Sequence, residues 1–263
     1  MRKAVLGAVL VSVLLAASPA DAIGPARWSA RIDAARTYAH SRAGLIAFAV
    51  VDERGRLHGY RASAVAPSAS VLKAMLLVAY LRKASVRDRS LTDYERGLLG
   101  PMIRRSDNNA ASTILGLVGR RGVMRLAAVS GMTDFRLVIP YWGHSQITPR
   151  DQADYFHHID RYVPLRHRHY AMHLLATIVR SQRWGVARVA PEGWSLYFKG
   201  GWSTGTGLVD HQAALLRLGK ARVSLCITTR FNPDHEYGKR TLRGIAARLV
   251  GSGWVPAPPS GPR

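Results

Sequence analysis

The chain reads as an α/β (α+β) protein: an antiparallel sheet formed by both termini and flanked by helices, with an all-helical lobe inserted between its halves. Three observations predict this. Strand-period segments cluster near the two ends, at 45–51 and 57–62 on one side and at 194–198, 208–217 and 221–229 on the other. Helical periodicity fills the region between, from residue 70 to residue 183. Cys226 is the only cysteine among 263 residues, so a chain of this length must be held by its core rather than by internal disulfides.

Taken in order, the first residues set the compartment. Arg2-Lys3, an apolar run over 4–17 and Ala20-Asp21-Ala22 match a secretory signal with an Ala-x-Ala cleavage site. Residues 1–22 are therefore expected to be removed, leaving no integral membrane span, because the run is shorter than the ~20 residues a spanning helix needs. The folded domain is expected over 23–254, with a sheet lobe of about 23–66 and 186–254 and a helical lobe of about 67–185. The Pro-rich stretch 255–263 reads as a disordered tail.

Residues 27–43 form an amphipathic helix with Trp28, Ile32, Ala35 and Tyr38 on one face, stopped by Gly44. A strand over 45–51 turns at Asp52-Glu53-Arg54-Gly55 into a second over 57–62. Pro67-Ser68 suit a helix start, and the run V-L-K-A-M-L-L-V-A-Y-L over 71–81 is apolar on every face, as a buried helix requires. Helical segments over 92–118 and 122–129 are expected to break at Gly100-Pro101 and at Gly119. Thr148-Pro149 opens a helix over 151–162, and 169–183 continues in helical period. The strands of the second half follow, and a last helix runs over 237–250.

The only charge between Ser70 and Leu81 is Lys73. A buried ammonium without partners costs several kcal/mol, roughly, unless it is paired or gives up its proton. Ser70 lies three residues earlier, on the same face and near the positive end of the helix. A desolvated lysine within reach of a serine hydroxyl is one way of making a nucleophile. The other reading is a helix start whose lysine snorkels to solvent. Ser106-Asp107-Asn108 admits a similar pair of readings, as a catalytic motif or as a helix cap. Lys199-Gly200-Gly201 ends the expected strand 195–198.

In this order, S-x-x-K, then S-D-N, then K-G-G, the chain resembles the class A β-lactamases and penicillin-binding serine hydrolases. Arg180-Ser181-Gln182-Arg183-Trp184-Gly185 and Thr148-Pro149-Arg150-Asp151 extend the resemblance over most of the mature chain. It implies a β-lactamase/transpeptidase-like fold and acyl transfer through Ser70, with Lys73 as base and Ser106 as proton relay to the leaving nitrogen. Asn108 would hold the substrate amide and help orient Lys73. Lys199 would supply positive potential to a substrate carboxylate. The N–H groups of Ser70 and Trp202 would form an oxyanion hole, with Gly200 and Gly201 letting the strand lie close to the ligand. The implied substrate is a small β-lactam amide or a D-alanyl peptide of peptidoglycan, and no cofactor is implied.

The chain departs from the family pattern at three points. Gly200 replaces a hydroxyl residue, and Trp202 stands where a small residue is usual. Between Asn108 and Thr148 the only acid is Asp134, so the glutamate that activates the deacylating water in class A enzymes is missing from the loop over 139–146. His144 in that loop is a possible replacement base. Otherwise a long-lived acyl-enzyme follows, and a non-catalytic or slowly deacylating penicillin- or peptidoglycan-binding protein becomes the alternative.

The formal net charge of +22 favours polyanions. The arginines are scattered from Arg27 to Arg263 without a nucleic-acid-binding motif, so no specific nucleic acid is expected. For an exported protein an anionic cell-wall polymer or membrane surface is the favoured partner, and a merely solvated basic surface is the plain reading. His157, His158, His167, His169 and His173 form no H-E-x-x-H or Cys/His set, so no metal is expected. Trp28, Tyr155, Phe156 and Tyr170 read as core or lobe-interface aromatics.

Overall fold

The computed structural model describes residues 25–205 and 207–251. The export segment expected over 1–22 and the tail over 255–263 lie outside the described residues. Helix α1 (Pro25–His40) leads through a turn at Gly44 into β1 (Leu45–Val51) and β2 (Leu57–Tyr60). The Asp52 carboxylate pins this hairpin by accepting the N–H groups of Arg54 at 2.9 Å and Arg56 at 2.8 Å. A short β3 (Ala66–Pro67) precedes a 3-10 turn (Ala69–Val71) that runs directly into α2 (Leu72–Leu81). Then come α3 (Asp93–Arg104), α4 (Asn108–Val129), β4 (Gln146–Ile147), α5 (Pro149–Tyr162) and α6 (Leu165–Ala176). The chain closes with β5 (Ser195–Ser203), β6 (Val209–Leu218), β7 (Ala221–Arg230) and α7 (His235–Val250).

The main sheet has the order β2-β1-β7-β6-β5 and is antiparallel throughout. Its centre joins the two ends of the chain, with Leu45 opposite Arg230 and Val51 opposite Ser224. The expected mixed fold, with a sheet drawn from both termini, is what the protein adopts. Strands β6 and β7 are buried along most of their length because helices cover both faces, α7 with α1 on one and α5 on the other. Every residue of α2 is buried among α3, α4 and α6, and one continuous apolar cluster links this helix to the sheet. Trp28, Tyr155 and Phe156 belong to that cluster and Tyr170 packs against it. Among the described residues no helix is long and apolar enough to cross a membrane.

Several boundaries differ from expectation for local physical reasons. Helix α3 passes through Gly100-Pro101 without breaking, because its capping box at Thr92/Glu95 and the burial of Leu99, Met102 and Ile103 outweigh one missing hydrogen bond. The break falls instead at Ser106, with φ +60, and Asp107 caps α4 by accepting the Ala110 N–H at 2.8 Å. Gly119 interrupts α4 as expected, with φ 68 and ψ 167. Helix α6 starts at Leu165 and stops at Ala176, before the expected 183. There the Thr177 hydroxyl and the Arg183 guanidinium donate to the last carbonyls, those of His173 and Ala176. Strand β5 continues to Ser203, so Lys199-Gly200-Gly201 lies inside a strand rather than at its end. Helix α5, within the stretch expected for the helical lobe, packs on β1 and β7 of the sheet.

Removing buried methylenes from α2 tests this packing. Leu76 is fully buried, and Leu76→Ala is expected to lower unfolding free energy by about 2 to 5 kcal/mol in urea titration. A loss below about 1 kcal/mol is incompatible with a close-packed α2.

Candidate active site

The S-x-x-K, S-D-N and K-G-G segments converge around one hydroxyl. The Lys73 ammonium donates to the Ser106 carbonyl at 2.5 Å, to Ser106 Oγ at 3.1 Å and to Asn108 Oδ1 at 2.7 Å. Lys199 donates to the same Ser106 Oγ at 3.1 Å and to the Gly200 carbonyl at 2.7 Å. The Ser106 hydroxyl therefore sits between two amines contributed by α2 and β5. Its left-handed backbone, uncommon for a residue with a side chain, turns both its carbonyl and its hydroxyl onto Lys73.

Both amines are fully buried, and this governs their protonation. Desolvation lowers the Lys73 pKa to about 7, against a smaller opposing pull from the Asp107 carboxylate. Lys199 is pushed well below the usual lysine range, first by burial and then by the neighbouring Lys73 charge. Near neutral pH the pair cannot hold two protons comfortably, so a Ser106 hydroxyl, able to accept and to donate, is well placed to pass one between them. The Trp142 ring, 5.0 Å from Lys73 Nζ, adds a π-face to the charged form.

A cavity of about 300 Å³ opens above this pair, walled by Ser70, Asn108, Trp142, His144, Trp202 and Ser203. Lys73, Ser106 and Lys199 lie beneath the wall rather than in it. Ser70 is in the 3-10 turn, directly after Ala69 at φ +43, so a strained residue presents it at the cleft. One expectation is corrected here: Ser70 Oγ makes no hydrogen bond to Lys73. The three donors of that ammonium are all taken by oxygens of Ser106 and Asn108, and Ser70 occupies a tighter turn than the α-helical first turn expected for it.

The glycines allow close approaches within the protein itself. A Cβ at Gly201 would come within 2.7 Å of the Ser70 nitrogen and 2.8 Å of the Val71 nitrogen. A Cβ at Gly200 would meet the Trp184 ring at 3.2 Å. The close approach they permit is thus to the turn carrying Ser70 and to a core tryptophan. Trp202, 37% exposed, packs its ring on Trp184 and on His235, at centroid distances of 5.9 Å each. His235 in turn bonds the buried Asp210 carboxyl at 2.5 Å, and burial raises that carboxyl to about 6 despite the His235 partner. Asp210 and His235 were not singled out in the sequence, and Trp142 and Trp184 entered it only as members of the stretches 139–146 and 180–185.

No carboxylate is among the residues walling the cleft. Asp134 faces Arg150 at 3.5 Å, and its N–H bonds Asp151. His144 does reach the cleft wall, beside Tyr141. Among the described residues no group of three or more His, Cys, Asp or Glu side chains is arranged to hold a metal.

The contrast between the glycines is testable. Gly201→Ala collides with backbone and is expected to cost about 1 to 3 kcal/mol of stability, whereas Gly200→Ala meets one side chain and costs less. Equal thermal midpoints for the two variants would contradict the seating of β5 on the Ser70 turn.

Comparison with known proteins places this geometry. No curated protein sequence matches the chain. The fold is similar to that of a β-lactamase from Sphaerobacter thermophilus, with a TM-score of 0.71, 20% identity, and coverage of 84% of this chain and 95% of that one. A β-lactamase from Xanthomonas campestris pv. campestris gives a TM-score of 0.70 at 18% identity, with 86% and 95% coverage. The class A β-lactamase of the last common ancestor of Gram-negative bacteria gives 0.72 at 18%, with 84% and 98% coverage. At these identities the likeness establishes the fold. The sequence itself matches the model of the β-lactamase enzyme family over residues 96–252, more than half of its length, and the chain belongs to that family.

Proposed function

We propose that the protein is an exported bacterial serine hydrolase that transfers an acyl group from a β-lactam amide or a D-alanyl peptide to Ser70. The observation that carries this reading is the Ser106 hydroxyl held at 3.1 Å from both Lys73 and Lys199, beneath a cleft walled by Ser70 and Asn108. Ser70 Oγ attacks the carbonyl carbon, and its proton passes to neutral Lys73. Ser106 returns that proton to the nitrogen as the C–N bond breaks. The amide side chain of Asn108 holds both the lysine and the substrate. The N–H groups of Ser70 and Trp202 receive the developing oxyanion, an interaction contributing about 3 to 4 kcal/mol per donor when preorganised.

Release of the acyl group is expected to be slow. No cleft-wall carboxylate is available to activate water, and His144 is the side chain at that wall that would replace it as base. Burial also tends to strip Lys199 of its proton, which weakens its attraction for a substrate carboxylate, and Gly200 supplies no hydroxyl to compensate. These features favour, as the second reading, a protein that captures penicillins or peptidoglycan peptides and turns over little. Location at the cell wall or in the periplasm, and attraction of the +22 chain to anionic wall polymer, belong to the same proposal.

Intact mass followed over time after mixing with a penicillin distinguishes these readings. A covalent adduct that persists for hours is expected, and Ser70→Ala should abolish it. Equal labelling of the alanine variant would remove Ser70 as nucleophile, and an adduct that vanishes within seconds would remove slow deacylation. The pH dependence follows from Lys73: its amine is a base only when neutral, so the acylation rate should rise with pH through about 7 and then level off. A rate that falls over this interval would rule out Lys73 as the base.

A further inference from the structure

Apart from Lys73 and Lys199, cations of the chain also gather away from the cleft. At the opposite end of α2 from Ser70 lies a groove of about 580 Å³ walled by Arg82, Lys83, Arg87, Arg121 and Arg125, with no acid in its lining. The kink at Gly119 redirects the second half of α4, where Arg121 and Arg125 share one face at i,i+4 spacing. Two of the cations are braced from behind: Arg82 donates to the Tyr162 carbonyl at 2.9 Å and Lys83 to the Leu117 carbonyl at 2.5 Å. Arg87 meets the exposed Asp88 at 2.8 Å, a pair too solvated to be worth much. Among the described residues Arg121 and Arg125 have no acidic partner. The floor between the cations is aliphatic, from Ala79, Val118 and Leu126.

We infer that this groove binds a linear phosphodiester polymer with a polyol backbone, of the kind borne by cell walls, an assignment that rests on the export reading above. Five cations lining one groove suit a chain of phosphates, and the aliphatic side chains among them suit its carbon backbone. The lining contains no aromatic ring, so it offers no platform on which nucleic-acid bases could stack. Twelve residues separate Ser70 from Arg82, about 18 Å at helical rise, so the occupant leaves the cleft open. The protein would then be held on the wall while Ser70 remains free to react.

The test uses purified poly(glycerol phosphate), with binding followed by calorimetry at low and at high salt. Arg87, Arg121 and Arg125 are exposed, so Arg87→Gln/Arg121→Gln/Arg125→Gln should leave folding intact. This triple is expected to bind about fivefold more weakly per charge removed, roughly a hundredfold in all. A charge-matched control, Arg54→Gln/Arg56→Gln/Arg243→Gln, should stay within about threefold of the parent, because distant surface charges are screened. Affinity should also fall steeply with salt. Equal loss in both triples, no loss in either, or tighter binding of charge-matched duplex DNA would overturn the assignment. So would polymer that blocks penicillin labelling when saturating, since that places it in the cleft. Absence of penicillin labelling in the parent protein counts against Ser70 chemistry, while the polymer affinities still decide the groove.

Discussion

Two lysines buried around one serine hydroxyl are the constraint on which the rest of this structure depends. Desolvating two ammonium groups side by side is unfavourable, and the fold answers in two ways. Five hydrogen bonds run from the two amines to the Ser106 carbonyl, the Ser106 hydroxyl, Asn108 and the Gly200 carbonyl, with the hydroxyl shared. The remaining imbalance lowers both pKa values, Lys73 to about 7. A well-packed aliphatic core would be more stable at this place, and the presence of the polar cluster instead supports the acyl transfer proposed above.

Holding that cluster requires three elements to meet within hydrogen-bond distance, and each meets it by a local exception. The chain leaves α3 through a left-handed Ser106, and Asp107 starts α4 immediately, which turns Asn108 toward Lys73. Ala69 at positive φ delivers the 3-10 turn of Ser70. Strand β5 reaches the turn only because Gly201 has no side chain. Ala69 and Ser106 are thus two left-handed residues with side chains held at the site, a conformation that persists where the surrounding packing over-determines the backbone.

What stands above the lysines gives the cleft its character. Its wall is aromatic and carries no carboxylate: Trp142 covers Lys73, and Trp202 is backed by Trp184 and His235. The imidazole of His144 is the titratable side chain at that wall besides the phenol of Tyr141.

Much of this was legible in the amino-acid sequence. Alternating apolar residues near both ends specified strands that must pair with each other. The all-round apolar run after Ser70 specified a buried helix with an anomalous lysine, and the order of three short motifs indicated which hydroxyls and amines would meet. The motifs named the segments that meet, but not that Ser106 rather than Ser70 would lie between the amines. Periodicity and residue type are local features, read within a few turns of chain. Tertiary structure decided the rest. Burial of Leu99, Met102 and Ile103 carried α3 through Pro101, and side chains bonding its last carbonyls stopped α6 early. The lysine amine turned from Ser70 to Ser106 and Asn108 because those oxygens, more than thirty residues away, are brought closer by the fold. A sequence can announce that a charge must find partners. Which atoms supply them depends on distances that exist only once the chain has packed.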